Sequence, residues 1–147
     1  MSYDLRLERL LDGTPDEVFE AFVDPDAMLE WYQDNPGWNV EVRACDCRVG
    51  GTTIVAFGPG DDRYIEEMTY CAVDRPGRLA YTEVFRMPGG SSFTTEITMT
   101  FEAQDAKTML TIVQTGFPDS AQRDAHQGGW PGFIDRLERV VAKRRVA

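Results

Sequence analysis

Two glutamates stand where a carboxylate could do chemistry. Glu83 lies between Tyr81 and Phe85, and Glu66 between Tyr64 and Met68, each in a run that alternates at period two. At that period residues two apart share a face, which sets each glutamate among aromatic or apolar neighbours. A carboxylate facing a cavity there would act as a polar anchor or general base, because burial without a partner is costly and shifts its proton affinity. Two of them could divide acid and base roles, as in glycoside hydrolysis, although nothing in the sequence fixes their separation. Glutamate is seldom fully buried. The expectation is therefore that each lies on the outer parity, or is paired at the rim by an arginine such as Arg86 or Arg48.

The other reactive residue types give less. His126 is the one histidine, and no motif holds a serine, cysteine or aspartate near it, so a catalytic triad does not follow. It is expected to face solvent or the rim of the last helix. There are three cysteines, an odd number in a chain without a secretory signal, which argues against a disulfide framework. Cys45 and Cys47 would share one strand face, with too few further ligands for zinc. All three read as inert thiols, with no metal and no cofactor expected. Gly50-Gly51 lacks the Gly-x-x-x-x-Gly-Lys pattern and precedes a strand, so it reads as a tight turn and not a phosphate loop. Asp46 and Arg48 pair with each other or hold that turn. If Trp38, Val40, Val42 and Ala44 face inward, Asp46 and Arg48 would follow them, unless a bulge near Cys45 resets the parity.

These residues need a scaffold, and 147 residues are enough for one domain spanning 1–147 with a real core. The net charge of −10 disfavours nucleic acid or an anionic membrane as partner. No apolar run approaches the ~20 residues that span a bilayer, and no signal-peptide core precedes the first strand, so a soluble cytoplasmic protein is expected.

Tyr3 to Leu11 alternates as a first strand. Thr14-Pro15-Asp16-Glu17 is a capping box with proline at the first helical position, and it opens a short helix ending near Val23. Asp24-Pro25 starts a second short helix, which stops before Asn35-Pro36-Gly37. From Trp38 the period is two. Strands follow at Trp38–Cys45, 52–57, 63–73, 78–87, 93–102 and 108–115, separated by glycine- and proline-containing turns. None of these connections can hold a parallel crossover helix, so the sheet is antiparallel. Trp130, Phe133, Ile134, Leu137, Val140 and Val141 then make one apolar stripe at helical period, with Asp119 able to cap the start. Gly128-Gly129-Trp130-Pro131-Gly132 predicts a kink or break, with a separate short helix from Asp119 to Gln127 and Pro131 at the first position of the long one. The fold class is α+β: seven curved antiparallel strands, two short helices between the first and second, and a long helix laid across the sheet.

Four stretches in this order carry a family likeness: Thr14 to Pro25 with Leu29 and Trp31; Asp46-Cys47-Arg48-Val49-Gly50-Gly51; Val73 to Thr82; and Gly129-Trp130 leading into Leu137. On them the chain resembles the activator of 90-kDa heat-shock protein ATPase-like family of the START-like, helix-grip (SRPBCC) superfamily. The resemblance implies a sheet that grips the C-terminal helix around a cavity. It implies a lipophilic small molecule as ligand, since members bind lipids, sterols and polyketides, and some act as cyclases or hydrolases. The eukaryotic namesake stimulates a chaperone ATPase and carries an additional N-terminal domain, whereas this sequence opens directly on the first strand. That ranks a chaperone partner behind a small molecule. A homodimer is the remaining partner to weigh. The family offers no universal catalytic residue to carry over.

Candidate ligand-binding residues come from the inner faces this arrangement creates. The strands supply Trp38, Phe57, Met68, Tyr81, Glu83, Phe85, Met99 and Phe101. The last helix supplies Trp130, Phe133 and Leu137. Core and cavity wall share one composition, so the sequence does not divide this set.

Overall fold

The computed structural model describes residues 3–33 and 36–146. Asn35, at the head of the expected turn, and Ala147 lie outside the described residues. The order of elements is β1 (Tyr3–Asp12), α1 (Pro15–Val23), α2 (Pro25–Trp31), β2 (Asn39–Cys45), β3 (Thr52–Gly58), β4 (Tyr64–Asp74), β5 (Arg78–Arg86), β6 (Ser92–Gln104), β7 (Lys107–Phe117) and α3 (Ser120–Val146). The strands form one antiparallel sheet in the order β1-β7-β6-β5-β4-β3-β2. The expected α+β class and strand count hold.

Local chemistry sets the two short helices. Thr14 Oγ1 accepts from the Glu17 amide, and Glu17 Oε1 accepts from the Thr14 amide at 2.9 Å, which closes the capping box. Asp24 ends α1 and caps α2 through the Asp26 amide. Trp31 Nε1 donates to the Ala21 carbonyl at 2.9 Å and so fixes the angle between the two helices.

The parity conflict after β2 is resolved by a register shift between Val42 and Ala44, slightly earlier than the bulge expected near Cys45. The chain then leaves the sheet, and Asp46 and Arg48 are exposed and pair with each other at 3.0 Å. Gly50 has φ +84°, and its amide donates to the Tyr70 carbonyl at 2.8 Å. A Cβ at Gly51 would overlap the Asp46 backbone carbonyl oxygen, which no rotamer change can relieve. Gly51→Ala is therefore expected to destabilise the protein by about 1–3 kcal/mol, as overpacking does. Denaturant unfolding compared with the unaltered protein measures it.

The expected break in the last helix is not there. α3 runs from Ser120 to Val146 with Pro131 inside it. Asp119 does cap it, its Oδ1 accepting from the Gln122 amide at 2.8 Å. A proline inside a helix costs about 3 kcal/mol in isolation. Here Gln127, whose carbonyl loses its partner, is exposed to water, and Gly128, Gly129 and Pro131 are exposed as well. Packing on both sides of the proline decides the outcome. Trp130, Ile134, Leu137, Val140 and Val141 are buried after the glycine pair, and His126 is wedged among three phenylalanines before it. Among the described residues no helix is long and apolar enough to cross a membrane.

Candidate functional site

A cavity of about 360 Å³ opens between the first half of α3, the end of α2 and the concave face of β3, β4 and β5. Its walls are aromatic. Phe57 on β3 stacks on Tyr64 with centroids 5.6 Å apart, and Tyr64 stacks on Phe85 of β5 at the same spacing. Tyr32, just past α2, leans on Phe57 at 5.1 Å, and Phe133 of α3 meets Phe57 edge-on at 6.3 Å. Trp38, Tyr64, Met87, Gln122 and His126 are half-buried and rim the cavity beside the exposed Ala125 and Gly129.

The sheet places both glutamates on this wall. Glu66 pairs in register with Phe85, and Glu83 with Met68, so the two are diagonal neighbours on the inner face. They are only 8% and 3% exposed, contrary to the outer-parity or rim-paired expectation. Arg86 approaches Glu67 instead, and Arg48 takes Asp46. What makes the burial tolerable is a network. Tyr32 Oη donates to Glu66 Oε1 at 2.6 Å, and the two carboxyls hydrogen-bond to each other. Burial pushes the Glu83 carboxyl well above the usual carboxylate range, and the charge of Glu66 and the hydrogen bond to it push the same way. Burial also raises Glu66, opposed by the hydrogen bonds from Tyr32 and Glu83. Burial and the neighbouring carboxyl thus favour the protonated form of Glu83 over that of an isolated glutamate.

A second buried polar chain sets the height of α3 above the sheet. Trp130 Nε1 donates to Gln114 Oε1 at 3.0 Å, and Gln114 Nε2 donates to Thr95 Oγ1 at 3.0 Å. Gln114 is wholly buried on β7, so this bond satisfies an amide that would otherwise be stranded.

Of the two places expected for it, open solvent or the rim, His126 takes the rim, half-buried at the edge of the cavity. Its ring lies 4.8 Å from Phe85 and 5.1 Å from Phe117, with Nδ1 3.0 Å from the Gln122 carbonyl. Burial lowers its pKa, so it is neutral at physiological pH. Among the described residues lining the cavity there is no lysine or arginine.

Of the eleven residues singled out from the sequence, six line the cavity: Trp38, Phe57, Glu83, Phe85, Trp130 and Phe133. Met68, Tyr81, Met99, Phe101 and Leu137 are buried elsewhere in the core. Missing from that set were Trp31 and Tyr32 at the end of α2, Tyr64 and Glu66 on β4, Met87, and the helical positions Gln122, Ala125, His126 and Gly129. The four helical positions sit at i, i+3, i+4 and i+7, which extends the Trp130–Phe133 face backward. That periodicity was available, and the expected break at Gly128 concealed it.

A family model described as Activator of Hsp90 ATPase homolog 1-like protein matches residues 12–142. None of the curated proteins gives a match. Among solved structures, protein CV1439 from Chromobacterium violaceum is similar at 26% identity and a TM-score of 0.81, covering 94% of this chain and 96% of that one. Protein NE0264 from Nitrosomonas europaea is similar at 20% identity and 0.79, covering 98% and 97%. The AHSA1-like protein from Aeromonas hydrophila is similar at 22% and 0.76, covering 99% and 96%.

Proposed function

We propose, for a chain that belongs to the Activator of Hsp90 ATPase homolog 1-like family, that the space under α3 receives a lipophilic small molecule. Family membership supports a ligand-binding or activator-like module, and the cavity favours the first. The observation that carries this reading is an aromatic-walled space of about 360 Å³ with an open rim and two convergent carboxyls. That is the size and character of a small-ligand site, with apolar walls for affinity and few polar groups for orientation. Trp38, Phe57, Glu83, Phe85, Trp130 and Phe133 would touch the ligand. Met68, Tyr81, Met99, Phe101 and Leu137 would support those walls from behind.

The protein carries its own reporter. It has three tryptophans, and Trp31, Trp38 and Trp130 all line the cavity. Titration with octan-1-ol is expected to change the intrinsic fluorescence saturably. Ala125 is exposed at the rim, so Ala125→Phe adds a ring there without disturbing the core. It is expected to weaken that binding about tenfold or more, a change of about 1.4 kcal/mol. A linear, unsaturable response, or the same affinity in the variant, would remove the cavity from consideration.

A further inference from the structure

The small-molecule reading leaves the ligand's polar group open, and the cavity wall narrows it. Two carboxyls converge on the cavity wall, hydrogen-bonded to each other. Glu66 and Glu83 are each more than nine-tenths buried. A buried charge calls for a partner of opposite sign. The protein does not supply one at the lining: no lysine or arginine lies among its described residues, and His126 is neutral. The cationic side chains near this end of the sheet are engaged elsewhere. Arg63 is 3.3 Å from Glu41, Arg86 approaches Glu67, and Arg136 lies over the Phe133 ring while its Nε donates to the Trp31 carbonyl. Tyr32 and Glu83 satisfy part of Glu66 with neutral donors only.

The rest of the wall favours the same sign. Tyr32, Phe57, Tyr64, Phe85, Trp130 and Phe133 present rings to the space. The faces of such rings attract cations, more strongly when water is excluded. An anionic ligand would meet a like charge, and an alcohol would gain a hydrogen bond but no ion pair.

We propose that the ligand is a lipophilic amine, its protonated nitrogen seated on the Glu66–Glu83 pair and its hydrocarbon body lying among Phe57, Tyr64, Phe85 and Phe133. The inference rests on the small-molecule reading, and one head-group series separates the two. Octylamine, octan-1-ol and octanoate share a tail and differ only in the charge of the head. With the full chain at pH 7.5 and tryptophan fluorescence as readout, octylamine is expected to bind about tenfold tighter than octan-1-ol or better, and octanoate weakest. In the double variant Glu66→Gln with Glu83→Gln, the roughly tenfold preference for octylamine over octan-1-ol is expected to disappear. Equal binding of amine and alcohol, tightest binding of octanoate, or a preference that survives the double variant overturns the amine and leaves the lipophile reading standing. Failure of all three probes to bind overturns both. If circular dichroism shows that the double variant does not fold, octyltrimethylammonium on the unaltered protein takes its place. Binding tighter than octan-1-ol supports the cation site, and binding no tighter overturns it.

Discussion

Leu137→Ala is expected to lower the free energy of unfolding by about 2–5 kcal/mol, the range for a leucine deleted from a packed core. Leu137 is 0% exposed on the buried face of α3, and its neighbours on that face, Ile134, Val140 and Val141, are themselves nearly inaccessible. None of them lines the cavity, so the atoms lost leave a new void instead of enlarging an existing one. Phe133, one turn earlier on the same helix, supplies the contrast. It is half-buried and lines the space under α3, so truncating it removes wall facing an opening. Phe133→Ala is expected to cost less stability than Leu137→Ala and to weaken octan-1-ol binding more. Urea unfolding of both variants, followed by circular dichroism, measures the first difference, and the fluorescence titration measures the second. Equal destabilisation with equal loss of binding would mean that the helix is a uniform core element with no functional half.

That contrast also shows what the sequence could and could not convey. The fold was legible because period is local. Phe93 to Phe101 alternates cleanly, Thr14-Pro15-Asp16-Glu17 caps its helix through neighbours in the chain, and the stripe from Trp130 to Val141 has one buried side. Which apolar residues bound a cavity was not legible. Met99 and Phe85 are both large inner-face residues, and only the height of α3 above each decides whether a ligand could reach them. That height depends on Trp130 reaching Gln114, a contact between two elements that no local pattern announces. The glutamates failed for a related reason. Parity did set Glu83 among Tyr81 and Phe85, and the rarity of buried glutamate argued the other way. What settles the matter is Tyr32, contributed by a helix end far along the chain, together with a carboxyl–carboxyl hydrogen bond across two strands. Buried charge is judged by its partners, and partners are tertiary.

The raised proton affinity of Glu83 leads to the other large expected effect, a stability that falls as pH rises through the range where most proteins hold steady. Burial, the charge of Glu66 and the hydrogen bond to it raise the folded-state pKa of Glu83, and burial raises that of Glu66 in the same direction. An unfolded glutamate titrates near 4.3. Between that value and the raised one, the folded protein holds a proton that the unfolded chain has released. Stability therefore declines with pH across this window, by about 1.4 kcal/mol per pH unit for each proton so held. The contribution is complete below the unfolded value and gone above the folded one. His126 acts oppositely and elsewhere: its lowered pKa removes stability as pH falls below about 6.5, where the unfolded chain takes up a proton first. Glu83→Gln separates the two. The amide can still donate to Glu66 but has no proton to lose, and His126 is untouched. Unfolding free energies of the two proteins are expected to agree best near pH 4.5 and to diverge above it, with the variant becoming the more stable. Parallel curves from pH 5 to 8 would show that Glu83 is ionised there. A pair that weakens the empty protein near neutral pH is not explained by folding. It is explained if a cation seated on it restores what ionisation removes, in which case octylamine should raise the midpoint of the unaltered protein more at pH 8 than at pH 5, and leave that of the double glutamine variant nearly unchanged.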